Sequence, residues 1–140
     1  MTGQPVSVHT ALVYLMIVVA GSDGRLGTPE MQAIGRMVKE WPVFENFNVE
    51  LLIPLSRDCG TILNTDDGLE TVLGLLQTAI PQELCETAYC LACEVAAADG
   101  EVDQDERQVL DALRNTLGLE RLAAAAIERA TAARLQRLPS

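Results

Sequence analysis

"VVAGSDGRLGTPE", Val18 to Glu30, returns 76 residues later as "EVAAADGEVDQDE", Glu94 to Glu106. Each copy holds an Asp-Gly pair, an aliphatic residue two places past the Gly and a Glu seven places past the Asp. In the first copy these are Asp23, Leu26 and Glu30; in the second, Asp99, Val102 and Glu106. An apolar stretch of helical spacing precedes each copy and another follows it. The phrase therefore reads as the corner of a helical hairpin that occurs twice.

The match extends beyond the corner. Leu15 aligns with Leu91, Val19 with Val95 and Ala20 with Ala96. Downstream, Ile34 aligns with Leu110 and Met37 with Leu113. An internal duplication of a helix-turn-helix unit, residues 7–41 and 82–117, explains the pattern. Two copies at so long a period do not make a solenoid.

No stretch alternates with a period of two, and helical spacing dominates throughout. "SVHTALVYLMIVVAGSDG" predicts a first helix over Ser7–Ser22, apolar on nearly all sides and hence central, with Gly24 stopping it. "TPEMQAIGRMVKEW" predicts a second over Thr28–Trp41, capped by Thr28 or Gly27 and ended by Pro42. Met31, Ile34, Met37 and Val38 form its buried stripe. A third starts at Asn48, and Pro54 should kink or split it. A fourth turns Leu69, Val72, Leu73 and Leu76 to one face; Pro81 opens a fifth; Gly118 separates a sixth from a seventh. The expected architecture is all-α, a bundle of about seven helices forming one domain over residues 1–140.

Composition narrows the function. The chain of 140 residues has 20 acidic and 10 basic side chains, a net charge of −10. Nucleic-acid binding needs a positive field to neutralise phosphates, so it is excluded as an expectation. The charge is uneven: residues 1–106 hold 17 acids and 4 bases, residues 107–140 hold 3 acids and 6 bases. A basic last helix with Arg121, Arg129, Arg134 and Arg137 could meet an acidic partner or pack on this chain's own acidic body. The apolar run Ala11–Ala20 is too short for a membrane helix, which needs ~20 residues. No Lys or Arg precedes Arg25, so a secretory leader is not expected. The expectation is a cytoplasmic protein with reduced thiols and no membrane insertion.

The acidic corner has a structural and a functional reading. In the second copy Asp103 is an N-cap with Glu106 three residues on, the spacing of a capping box, and Leu26 or Val102 would plug the core. The functional reading is a divalent cation site, since Asp99, Glu101, Asp103, Asp105, Glu106 and Asp111 put hard oxygens suited to calcium or magnesium within thirteen residues. A calcium loop of EF-hand type fails in detail, with Gln104 where glycine is required and Leu110 where a bidentate acid is required. The positive end of a helix also opposes a cation, so weak binding is expected.

Together, "VVAGSDGRLGTPEMQAIGRMV" and "LACEVAAADGEVDQDERQVLDAL" resemble the TerB-like tellurite-resistance family over Ala11–Leu119. The resemblance implies a compact all-helical domain and a role in a bacterial stress response, with protein partners from that system. It names no reaction, so an accessory, non-enzymatic role is expected. It also implies a candidate metal site at Asp23 and Glu30 in the first copy and at Asp99 and Glu106 in the second, with Glu94 and Asp103 as additions. Glu94 has only Val18 as its counterpart, which breaks the symmetry of such a site.

Remaining features suggest less chemistry. Cys85 and Cys93 lie eight residues apart on one helix, ~12 Å of rise, beyond one zinc with ~2.3 Å sulfur bonds. Cys90 and Cys93 share a face, yet no strand precedes them as in a thioredoxin-type motif, and buried small hydrophobes is the preferred reading. His9, the only histidine, reads as a helix-start or surface residue. "KEWPVFENF", Lys39–Phe47, closes one end of the core or offers an aromatic patch to a partner. The alternative to a cation-binding protein is an interaction module without metal, using this linker or the basic last helix.

Overall fold

A computed structural model describes residues 6–22 and 27–139. Seven α-helices are present among them, and no strand: α1 Val8–Ala20, α2 Thr28–Glu40, α3 Leu52–Leu63, α4 Gly68–Ala79, α5 Cys85–Ala96, α6 Gln104–Leu117 and α7 Arg121–Arg134. Short 3₁₀ turns at Pro42–Phe44, Val49–Leu51 and Gln82–Leu84 join them.

α1 is the axis of the bundle. Every residue from Ala11 to Ala20 is buried, and α2, α3, α4, α5 and α6 all pack on it. A helix apolar all round gains stability only when neighbours cover every face. Ser7 caps α1, its Oγ accepting from Thr10 N–H at 3.1 Å. The helix ends at Ala20, with Gly21 as C-cap; the expected stop at Gly24 lies outside the described residues, as do Asp23 and Leu26.

α5 is the second internal helix, against α1 on one side and α7 on another. The positions aligned in the two copies are buried in both: Leu15 and Leu91, Val19 and Val95, Ala20 and Ala96, Ile34 and Leu110, Met37 and Leu113. One contiguous cluster of aliphatic residues joins all seven helices.

Several local expectations give way to packing. Of the two caps expected for α2, Gly27 is the one used, and Pro29 sits in the first turn as expected, where it removes no helical hydrogen bond. Ala33 is buried on α2 while Met31 is only half-covered. α3 begins at Leu52 rather than Asn48, so Pro54 falls in its first turn and needs no kink; Asn48 caps the preceding 3₁₀ turn instead. Leu69 is 37% exposed and Leu73 half-buried, leaving Val72 and Leu76 as the buried pair of α4. Gly68 opens α4 so close to the end of α3 that a Cβ there would run into the Ile62 carbonyl. Gly118 adopts φ 67°, and the amides of Gly118 and Leu119 donate back to Asn115 and Arg114, so α6 closes where the sequence placed its end.

The aromatic linker closes one end of the core. Phe44 is buried, and Trp41 and Phe47 are half-covered. His9, in the first turn of α1, stacks on Phe44 with ring centroids 5.6 Å apart and meets Phe47 edge-on at 5.3 Å. Its Nε2–H donates to the Val43 carbonyl at 2.9 Å, which fixes the linker to the start of α1.

Candidate functional site

The two corners bring carboxylates to the start of α2 and the start of α6. Asp103 is the N-cap of α6 and has extended backbone. Its Oδ1 accepts from Glu106 N–H at 2.8 Å, and Glu106 Oε1 accepts from Asp103 N–H at 3.1 Å. This is the reciprocal box expected from the spacing, and it satisfies two amides that the helix start leaves without partners. Val102 is 36% exposed and does not plug the core.

Glu30 holds the same place on α2 that Glu106 holds on α6, the third residue after the N-cap. Here the cap is a glycine, with no side chain to reciprocate. The Glu30 carboxylate folds over Gly27 so closely that a Cβ at Gly27 would strike its Oε1. Glu30 is 7% exposed and Glu106 5% exposed. Carboxylates are seldom this deeply covered unless something compensates their charge.

Their charges are felt between corners. The Glu106 carboxyl is pushed up to about 7, first by burial and then by the negative charges of Asp103, Asp99 and Glu30. The hydrogen bond from the Asp103 amide acts the other way and does not restore the ordinary range. Asp99 is exposed, and its Oδ1 accepts from Glu101 N–H at 3.1 Å, which shapes the turn. Gly100 takes φ 95°, a conformation that suits glycine and lets the chain reverse there. At the first corner, Ser22 Oγ is buried with no hydrogen-bond partner among the described residues.

Glu106 thus lies within electrostatic reach of Asp103, Asp99 and Glu30, while Asp23 lies outside the described residues. No three His, Cys, Asp or Glu side chains among the described residues stand together as a metal-holding group. Glu94 is engaged elsewhere: Arg134 of α7 forks onto its carboxylate, Nη1 donating to Oε2 at 3.2 Å and Nη2 donating to Oε1. The basic last helix therefore packs in part on the chain's own acids. Sequence reasoning could not pair residues 40 apart, and the one signal available was the charge asymmetry between body and tail.

Among the described residues the cysteines form no disulfide. Cys59, Cys85 and Cys93 are buried and Cys90 is half-exposed. Burial pushes the thiols of Cys59 and Cys93 up to about 12. Cys90 is raised as well, by burial against the opposing pull of Arg134. No helix among the described residues is long and apolar enough to cross a membrane.

A bundle of seven helices with buried carboxylates at the starts of α2 and α6 defines a class of small helical domain. The family model described as "Tellurite resistance protein TerB" matches residues 9–130, and the chain belongs to that family. Neither a curated protein nor a solved structure matches the chain significantly.

Proposed function

We propose that this chain is a non-enzymatic, cytoplasmic accessory protein of a bacterial tellurite and stress response that binds a divalent cation at its acidic corners. Membership of the tellurite-resistance family supports the setting. The observation that carries the cation is the negative charge of Asp103, Asp99 and Glu30 acting on the buried Glu106 carboxyl. Such a cluster is short of positive charge, and a proton or a cation relieves it.

The donor chemistry suits a hard cation, although no three of these side chains among the described residues already stand together to hold one. Apart from the Ser22 hydroxyl, every side-chain donor in the set is a carboxylate oxygen, which suits calcium or magnesium and not a thiol-seeking metal. After the capping box forms, Asp103 Oδ2 and Glu106 Oε2 are not committed to it. Glu30, Asp99 and Glu106 would be the principal ligands, with Asp103, the Ser22 hydroxyl and Asp23 completing the set. The positive N-terminal end of α6, where Asp103 and Glu106 sit, opposes a cation, so millimolar rather than tight binding follows.

Calorimetric titration with calcium, magnesium, manganese and zinc chlorides tests this, on wild type and on Asp99→Asn with Glu106→Gln. Heat and a raised melting temperature in the wild type alone support the reading, since a ligand of the native state must stabilise it. Absence of both at millimolar metal ends it.

A second reading is an interaction module without metal. Trp41 favours it, forming with Met37, Cys90 and Ile127 part of the lining of a groove of about 610 Å³ between α2, α5 and α7. Partner capture that survives chelator and is lost in Trp41→Ala would support this reading over the cation.

A further inference from the structure

The chain after α7 runs back to the second acidic corner. Arg134, in the last turn of α7, grips Glu94 on α5 through both of its Nη atoms. Past the helix end, the amides of Leu135 and Gln136 donate to the Thr131 and Ala133 carbonyls at 3.2 and 3.3 Å, so the chain remains wound against α7. The next residue, Arg137, shares a cleft of about 400 Å³ with Asp99, Gly100 and Glu101. Arg134 thus pairs with Glu94 before the turn, and Arg137, three residues on, lines the same cleft as Asp99 and Glu101 within it without closing an ion pair to either.

The charge distribution gives this contact a direction. Residues 1–106 carry 13 more acids than bases, and residues 107–140 carry 3 more bases than acids. A guanidinium stays protonated at any physiological pH, so the attraction is permanent and weakened only by salt. The arginine and a divalent cation would also compete, because both seek the same carboxylate oxygens and repel each other.

We propose that Arg134–Arg137 is a built-in cationic strap on the second acidic corner, anchored by Arg134 on Glu94, with Arg137 as an internal stand-in for metal. A divalent cation reaching Asp99 displaces Arg137 and frees the residues beyond α7. The displacement rests on the cation reading above; the strap itself rests on the geometry alone. At ~6 Å in water the repulsion between a guanidinium and a divalent ion amounts to about tenfold in affinity, and salt reduces it.

Two measurements on the full chain separate the parts. The first is trypsin cleavage after Arg134 in chelator at low salt. The strap predicts severalfold faster cleavage in Asp99→Asn with Glu101→Gln than in wild type. It also predicts slow cleavage again in the charge swap Glu101→Arg with Arg137→Glu, which a general loosening of the fold would not give. Equal rates in all three overturn the strap. The second is titration with magnesium and calcium chlorides. Arg137→Gln should bind about 3- to 10-fold more tightly than wild type. Arg121→Gln removes the same charge ~20 Å away at the other end of α7 and should change little. Equal tightening in both variants reduces the effect to net charge and overturns the displacement. Absence of heat in every variant removes the cation from the corner, and the cleavage rates then decide the strap by themselves.

Discussion

Asp103 and Glu106 each accept the other's backbone amide, at 2.8 and 3.1 Å, and close the start of α6. The pair makes the corner a structural element whether or not an ion is bound. Asp103→Ala removes the cap and one arm of the box together. The expected loss is about 1 kcal/mol by urea denaturation, and Asp103→Ser should recover most of it. A loss near zero would mean that the start of α6 is held by tertiary packing and not by its cap.

Glu106 also makes stability depend on pH. Its carboxyl stands near 7 in the folded protein and in the ordinary carboxylate range once unfolded. Between those values the folded state holds the extra proton, so the stabilisation is complete at low pH and is lost as the pH rises through about 7. Glu106→Gln keeps the box, because a glutamine amide oxygen accepts the same amide. The wild type should therefore lose about 4 °C more than Glu106→Gln in melting temperature between pH 5 and pH 8. Parallel pH profiles would show that Glu106 titrates normally in the fold. Added magnesium should narrow the difference at pH 8 if the corner binds it.

What could be read from the sequence was what depends on near neighbours. The Asp103–Glu106 box spans three residues, and Gly118 ends α6 through its own φ, so both were visible in the order of residues. The central place of α1 was visible because ten apolar residues in a row leave no polar face. Pro54 lands in the first turn of α3 because the 3₁₀ turn before it delays the helix start, and α3 then packs on α1 and α4, which no local pattern announces. Leu69 lies on the helical stripe of α4 but past the edge of its neighbours, which periodicity does not reveal. The engagement of Glu94 by Arg134 lay beyond any local rule. So did the influence of Glu30 on Glu106 across 76 residues, which arises only once the two hairpins meet.

Gly27 and Glu30 offer a test of the first corner that needs no metal. Gly27 has ordinary extended backbone, so an alanine there suffers no strain of its own. Its methyl group would displace the Glu30 carboxylate from its place over the cap. Gly27→Ala should cost roughly 0.5–1 kcal/mol. Glu30→Ala should cost much less in the Gly27→Ala background than in wild type, because the contact is already broken. Additive losses in the double-mutant cycle would show that the carboxylate contributes nothing from that position.

The thiols discriminate between a structural and a chemical role for α5. Thiolate, not thiol, is the attacking species, and Cys59 and Cys93 with values near 12 present on the order of 10⁻⁴ of it at pH 8. Cys85 is raised by burial and by the charge of Glu83, and Cys90 by burial with Arg134 opposing. Cys90 alone is half-exposed, in the floor shared by the Trp41 groove. A chromogenic disulfide reagent at pH 8 should therefore titrate one thiol slowly in the native protein and all four in urea. Cys90→Ser should abolish the native reaction. A redox function for Cys90 and Cys93 would need the opposite behaviour: two thiols reacting together, fast, without denaturant. If Cys93 were labelled as quickly as Cys90, α5 would have to swing away from α1 and α7 on the timescale of the reagent. The helix would then be a moving part of the protein and not the second axis of its core.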